Sequence, residues 1–388
     1  MTMNVAVGQA FSVEGREAVS KAIYNARLAL DNAPINFAIL IVSIEYDFHD
    51  ISLAAKSQLG EVPVIGFSTS SEITIEGSKR RSVVVALISD ETLEAEADWR
   101  PGMSESSRSI ADRVVKSLGI AKKKSGVLLL VADGLSGEYD ELLGRLPAGN
   151  YEVAGCLAGG DLQLDRTFQL GGDKSGSNGL AAAFISSPTL RLGVGIGHGW
   201  QSVGASFRVT QSRDNWVRSL DGRPASEGYA SMFGRPARDW GFPPLNSMVR
   251  LYPLGIEREN LPMQVHSPLR VEPDGSLRMS SSIPDGSTGH LLVGSREKCL
   301  EAARKATGDA LSAIKGAQPK LAIIFADISW EMLFQGYAGA EVEAIRDVLG
   351  DDVPIIGGYT FGQIAQPDGA PQAEFLNQHV EIVILGEK

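Results

Sequence analysis

Short apolar runs recur along the chain, and three of them open the same succession of elements. Residues 37–42, 126–131 and 321–326 are almost wholly aliphatic or aromatic. Runs of this length and composition read as strands buried on both faces. A stretch with helical periodicity follows each, at 51–59, 139–145 and 341–349, and then a second apolar strand. That second strand carries a recurring pattern. Val62-Pro63 leads to Gly66, Thr69, Glu72 and Ile73; Val353-Pro354 leads to Gly357, Thr360, Gln363 and Ile364 at identical spacing. A looser copy, 151–160, places Gly155 at the equivalent position. Each copy is followed by a turn-rich segment and another strand, at 82–88, 179–185 and 380–385.

A helix precedes each first strand. In 16–30 the apolar residues Val19, Ile23, Ala26 and Leu30 recur every three or four positions and share one face. Residues 104–118 and 296–314 occupy the matching places. The unit is thus helix, strand, helix, strand, loop, strand. Its strand-helix-strand passages predict right-handed crossovers and parallel pairing, with the last strand free to return antiparallel.

Between the second and third copies the pattern changes. Residues 190–199 alternate apolar side chains with glycine, and 205–211 alternate as a strand should. Residues 220–225 read as a turn entering a helix, with Pro224 suited to its first position. Residues 248–255, 269–273 and 276–279 read as strands, and Glu272-Pro273-Asp274-Gly275 as a hairpin turn. The fold class expected is α/β: repeated strand-helix-strand units with mixed, largely parallel sheets. Two domains are expected, 1–215 with two units and 216–388 with a β-rich insert and the third.

Composition narrows the function. The 388 residues carry a formal net charge of −11, which argues against nucleic acid and anionic membrane surfaces as partners. The basic runs 79–81 and 122–124 are short enough to be solvated loops or helix ends. Two cysteines, Cys156 and Cys299, cannot make a disulfide scaffold and fit a reducing compartment. No secretory signal pattern is visible at the N-terminus, and no apolar run reaches the roughly 18 residues that span a bilayer. A cytoplasmic protein without membrane insertion is expected.

The chemistry points to binding more than to catalysis. Ligands of open α/β sheets lie beyond the carboxyl ends of parallel strands, so the loop after each Pro-x-x-Gly strand is the candidate contact. It offers Ser68, Thr69, Ser70 and Glu72 in the first copy, and Tyr359, Thr360 and Gln363 in the third. Hydroxyls, backbone N–H groups and one carboxylate suit an amine-bearing or amino-acid-like ligand; the alternative is that these side chains cap turns. Glu72, as the carboxylate, is expected to mark the polar site, and Tyr359 and Phe361 to contribute packing. The small residues around Cys156 and Gly159 permit close approach, although a buried structural thiol accounts for Cys156 equally. His198, between glycines, can ligate haem iron or serve as a hydrogen-bonding histidine. No histidine pairs with another His or Cys at helical ligand spacing, so no metal site is expected. Complete phosphate-loop and nucleophile-elbow motifs are missing. An enzyme of unrecognised type using Glu72, Asp161 or His198 as a base stays open.

The segments 64–73, 82–88, 197–200, 220–225, 354–364 and 377–385, in this order, resemble the FIST family, whose chains pair FIST N and FIST C domains. The resemblance implies an intracellular sensory module for small ligands, working alone or beside signalling domains. Some members bind haem and sense nitric oxide, acting on a histidine kinase, which gives the runner-up function, cofactor and partner. Three positions depart from the family pattern: Gln363 replaces a common Glu, Leu376 replaces a His, and Asp327-Ile328-Ser329 replaces a small Cys-containing turn.

Overall fold

Three stretches of chain build the same four-stranded order. The structure is a computed structural model that describes residues 2–123, 125–234, 249–337 and 339–388. The first unit holds β1 (Asn4–Ala10), β2 (Phe37–Ser43), β3 (Val64–Thr69), β4 (Glu72–Thr74), β5 (Gly77–Lys79) and β6 (Val83–Ser89). The second holds β7 (Glu94–Pro101), β8 (Gly126–Ala132), β9 (Tyr151–Leu157), β10 (Gln169–Gly171), β11 (Lys174–Gly176) and β12 (Gly179–Ser186). The third opens with β13 (Leu190–Gly197). It resumes after a long insertion with β22 (Gln318–Asp327), β23 (Ile355–Thr360), β24 (Gly362–Ala365), β25 (Glu374–Leu376) and β26 (Val380–Glu387). The strand orders are β1-β6-β2-β3, β7-β12-β8-β9 and β13-β26-β22-β23. Each contains one parallel pair, β2–β3, β8–β9 or β22–β23, flanked by antiparallel neighbours. The helices Gly15–Ala29, Ser107–Ser117 and Arg296–Ala313 precede the central strands. Ser106 and Ser295 cap the last two by accepting the N–H of Ser109 and Lys298.

The sheets are interlocked. Hairpin β4–β5 of the first unit pairs with β23 of the third. Hairpin β10–β11 of the second pairs with β3 of the first, and β24–β25 of the third with β9 of the second. The exchange closes a ring. Side chains alternate across each central strand. Ile39 and Ile41, Val127 and Leu129, and Ile323 and Phe325 meet in one shared core. Their neighbours Leu40, Leu128 and Ile324 pack under the helices. The sheet of the third unit begins at β13, on the N-terminal side of the division expected at residue 215.

The insertion forms an antiparallel layer from β14 (Trp200–Arg213), β15 (Trp216–Leu220), β16 (Arg223–Pro224), β17 (Leu254–Arg258), β18 (Leu261–His266), β19 (Pro268–Val271), β20 (Leu277–Met279) and β21 (Thr288–Gly294). The turn at 272–275 joins β19 to β20, with Gly275 at φ +83° and its N–H donating to the Glu272 carbonyl. Two expectations shift. The strand foreseen at 248–255 begins only at Leu254, behind the 3-10 turn Val249–Leu251; Met248 lies outside the described residues, as does Lys124 of the second basic run. Pro224 occupies the N-cap and not the first helical position, because the helix starts at Ala225.

Candidate functional site

The loop expected to touch a ligand is a staple inside the protein. Thr69 Oγ1 donates to Glu72 Oε1 at 2.7 Å, and Glu72 Oε2 accepts from the N–H and hydroxyl of Ser82 at 2.9 and 2.8 Å. Glu72 is fully buried, and desolvation lifts its pKa to about 8. The third unit repeats the staple: Gln363 Nε2 donates to Thr360 Oγ1 at 3.3 Å, and Gln363 Oε1 accepts the His379 N–H at 3.2 Å. The second unit does so too, through Gln169, whose Nε2 donates to Thr167 Oγ1 at 2.9 Å and whose Oε1 accepts the Gly179 N–H at 3.2 Å. In every case the acceptor ties the exchanged hairpin to the start of the unit's last strand. The longer connection before Gln169 hid the third member of this set from the sequence.

The other candidates divide. Ser68 Oγ donates to the Gly159 carbonyl at 2.6 Å, and Ser70 Oγ to Glu331 at 2.7 Å. A side chain on Gly159 would run into the Tyr359 carbonyl, so that glycine serves packing. Cys156 lies in the shared core, and desolvation raises its thiol pKa. Tyr359 is buried, with its hydroxyl on Glu341 at 2.5 Å. His198, by contrast, lines a cavity. There it meets His379 edge-on, ring centroids 4.8 Å apart, in a space of about 450 Å³. His198 Nδ1 accepts the Trp200 N–H at 3.2 Å, so its remaining nitrogen carries the proton. Placed this way, His198 has no free lone pair for haem iron and does not fit that role. Among the described residues, no cluster of three or more His, Cys, Asp or Glu is arranged to hold a metal ion. Neither Glu72 nor Asp161 shares a cavity with His198, so the three candidate bases are not assembled.

A different place collects unsatisfied chemistry. Where the strands β8, β9, β22 and β23 end, a cavity of about 670 Å³ opens between the second unit, the third unit and the β layer. This is the position that parallel strand ends favour, but in other units than the sequence suggested. Nine buried side-chain polar atoms among the described residues lack a hydrogen-bond partner. Four of them, Arg250 Nε, Arg278 Nε, Ser329 Oγ and Gln378 Oε1, belong to residues lining this one cavity. Buried polar groups are ordinarily satisfied, which makes these four residues the candidate contacts for an additional partner.

Gln378 is fixed from every side. Its φ of +60° lies in the left-handed region that non-glycine residues rarely enter. Its N–H donates to Asp327 Oδ2 at 3.0 Å, and its carbonyl accepts the indole N–H groups of Trp200 and Trp330 at 2.9 and 3.1 Å. Its Nε2 donates to the Arg250 carbonyl at 2.6 Å and Ser267 Oγ at 2.8 Å. Only Oε1 stays unused. Asp327 ends β22 and caps the helix Ile328–Leu333 by accepting the Ser329 N–H at 2.9 Å; desolvation raises its pKa. Arg250 reaches from the layer to the Leu162 carbonyl at 3.2 Å, and burial lowers its pKa against the opposing pull of Asp327. The Arg278 guanidinium lies 5.6 Å from the Trp216 ring centre. The sequence held two pointers to this site: Asp327-Ile328-Ser329 as a departure from the family pattern, and the segment from Asn377. Arg250, Arg278 and Trp216, distant in sequence, carried none.

Comparison with known proteins gives two family matches that together cover most of the chain: the FIST N domain over residues 36–223 and the FIST C domain over 225–366. No curated protein matches. Among solved structures, a cyanuric acid hydrolase from A. caulinodans is 10% identical, with a TM-score of 0.26 over 48% of this chain and 71% of that one. A second cyanuric acid hydrolase is 9% identical, with a TM-score of 0.32 over the full length of both. Phosphoribosylformylglycinamidine synthase II from Thermotoga maritima is 9% identical, with a TM-score of 0.24 over 99% of this chain and 72% of that one. Likenesses this low carry no functional argument.

Proposed function

The chain belongs to the FIST family, and from that premise we propose that it is a cytoplasmic sensory protein that binds a small metabolite in the cavity between its second unit, third unit and β layer. FIST domains are small-ligand-binding sensory domains of signalling proteins. The observation that carries the proposed site is that four residues lining one cavity each hold a buried polar atom without a partner. The expectation of an amino-acid-like ligand on Glu72 gives way, because that carboxyl group is already held by Thr69 and Ser82. Three segments meet at the cavity, so a bound molecule contacts all three at once. Occupancy then alters the surface that a signalling partner, such as a histidine kinase, reads.

The test is a thermal-shift screen of the purified chain against small metabolites, followed by titration and mass spectrometry. A ligand that binds only the native state raises the melting temperature and is recovered unchanged if the protein senses and does not transform it. Arg278→Met is expected to weaken that ligand about tenfold or more. It should change the stability of the unliganded protein little, since the desolvation it relieves offsets the contact it loses with the Trp216 ring. Full affinity in Arg278→Met and in Ser329→Ala would remove the site from this cavity. Turnover of the ligand would instead make the protein an enzyme.

A further inference from the structure

The cavity's charges and shape narrow the ligand beyond "small metabolite", on the premise that the cavity is the ligand site. Two other arginines of the β layer have carboxylate partners: Arg258 meets Glu374 at 2.6 Å, and Arg270, on the same cavity, meets Glu272 at 2.5 Å. Arg250 and Arg278 have none within ion-pair distance among the described residues, although both are half-buried and each keeps an unused Nε–H. A desolvated cation without a counter-ion is costly, and a ligand anion removes that cost. None of the cavity's own acids, Asp327, Glu138 and Asp214, lies within ion-pair distance of either arginine. Asp327 spends its oxygens on the N–H groups of Ser329 and Gln378. Glu138 and Asp214 are exposed at the rim, where solvent screens them.

The remaining orphans specify more. Gln378 cannot turn its amide, because Nε2 is held by Arg250 and Ser267. Oε1 is therefore left as a buried acceptor without a donor, a shortage that an N–H or O–H reaching it from the ligand would satisfy. Ser329, 1% exposed, can donate or accept. The body of the ligand meets rings: Trp216 and Phe361 line the cavity half-exposed, and Phe361 packs against the cluster of Phe375 and Tyr139, whose ring centres are 4.6 Å apart. Ring faces favour flat partners.

We propose that the ligand is a planar aromatic or heteroaromatic carboxylate bearing a ring N–H or a hydroxyl. Its carboxylate is held by Arg250 and Arg278, its donor by Gln378, and its ring plane by Trp216 and Phe361. A free ammonium group finds no unengaged interior carboxylate, so a zwitterionic amino acid is the poorer fit.

The experiment titrates the full chain by calorimetry with one- and two-ring aromatic carboxylates, each beside its uncharged carboxamide. The set includes indole-2-carboxylate, its amide, its N-methyl derivative and L-tryptophan. At least one carboxylate is expected to bind about tenfold or more tightly than its amide, with affinity falling as salt rises. Arg250→Met and Arg278→Met should each remove that preference, and masking the ring N–H or hydroxyl should weaken binding in the wild type but not in Gln378→Leu. If Gln378→Leu does not fold, Ser329→Ala provides the second readout through a severalfold loss. Two results overturn the ligand class while leaving the cavity as the site: preferential binding of amides or of L-tryptophan with sensitivity to Arg278→Met, or failure of every carboxylate when another small molecule binds and is lost in Arg278→Met. Binding that is indifferent to all these variants overturns the site itself.

Discussion

Desolvation holds the proton on Glu72 at neutral pH, outweighing the hydrogen bonds from Thr69 and Ser82, which favour the anion. With a pKa of about 8 it behaves as the amide does at Gln363 and Gln169. Glu72→Gln preserves each bond, since the new amide can donate to Thr69 Oγ1 while its oxygen accepts from Ser82. A stability change under about 1 kcal/mol at pH 7 is expected from urea unfolding, whereas Glu72→Ala, which strands the Ser82 N–H, costs about 1–3 kcal/mol. The pH dependence follows from the direction of the shift. The folded chain holds a proton that the unfolded chain has lost between pH 4.5 and about 8. Glu72 therefore contributes most below pH 4.5, and that contribution falls away as pH rises to about 8. Buried Glu341, lifted to about 7, acts in the same sense. Unfolding measured from pH 5 to 8.5 should show stability declining with pH, and less steeply in Glu72→Gln. An unchanged slope in that variant would mean that Glu72 is ionised in the fold.

At the scale of elements, one glycine per unit lets the exchanged hairpins dock. Gly66, Gly155 and Gly357 pair on one side with Leu40, Leu130 and Ile324 of the parallel neighbour, and on the other with Leu170, Ile364 and Ile73 of the incoming hairpin. A Cβ at these positions would lie 2.8, 1.9 and 2.3 Å from the carbonyl oxygens of Leu40, Leu130 and Ile324. The same spacing that aligned the glycines in sequence thus reflects a shared steric demand between three strands. Gly155→Ala is expected to cost about 3 kcal/mol, the upper end of overpacking penalties, and Gly66→Ala less. Chemical unfolding of the two variants side by side checks the order; equal, small effects would show that the strands can shift to admit a methyl group.

For the whole molecule, the cyclic exchange means that no unit completes its sheet alone. A chain ending at residue 215 would leave β4 without β23 and β9 without β24, and would uncover the core face that Ile323 and Phe325 close. Unpaired edges and exposed apolar surface promote aggregation. Residues 1–215 expressed alone should lack a cooperative unfolding transition and self-associate on gel filtration. A monomer that unfolds cooperatively would establish that the first two units fold independently. The proposed ligand cavity depends on the same interlocking, since its wall is drawn from two units and the layer.

The chain's periodicity sufficed for what is local. Runs such as 37–42 had to be strands because alternate side chains face the shared core and the helices, so both faces are apolar. Likewise, the 3.6-residue spacing of Val19, Ile23 and Ala26 specifies a helix on a sheet. The repeated glycine and Val-Pro spacing exposed the equivalent strands, and the order of motifs pointed to the family. Tertiary structure alone decided which units the hairpins join, because β4, β10 and β24 carry no mark of their partners. It also decided the meaning of Glu72, since a carboxyl group reads identically in a ligand site and in a staple until Ser82 is seen to donate to it. The cavity was the least legible feature. Arg250, Arg278 and Gln378 become a candidate site only because folding brings them to one cavity and leaves each with one polar atom unpaired, and no property of the linear sequence records that shortage.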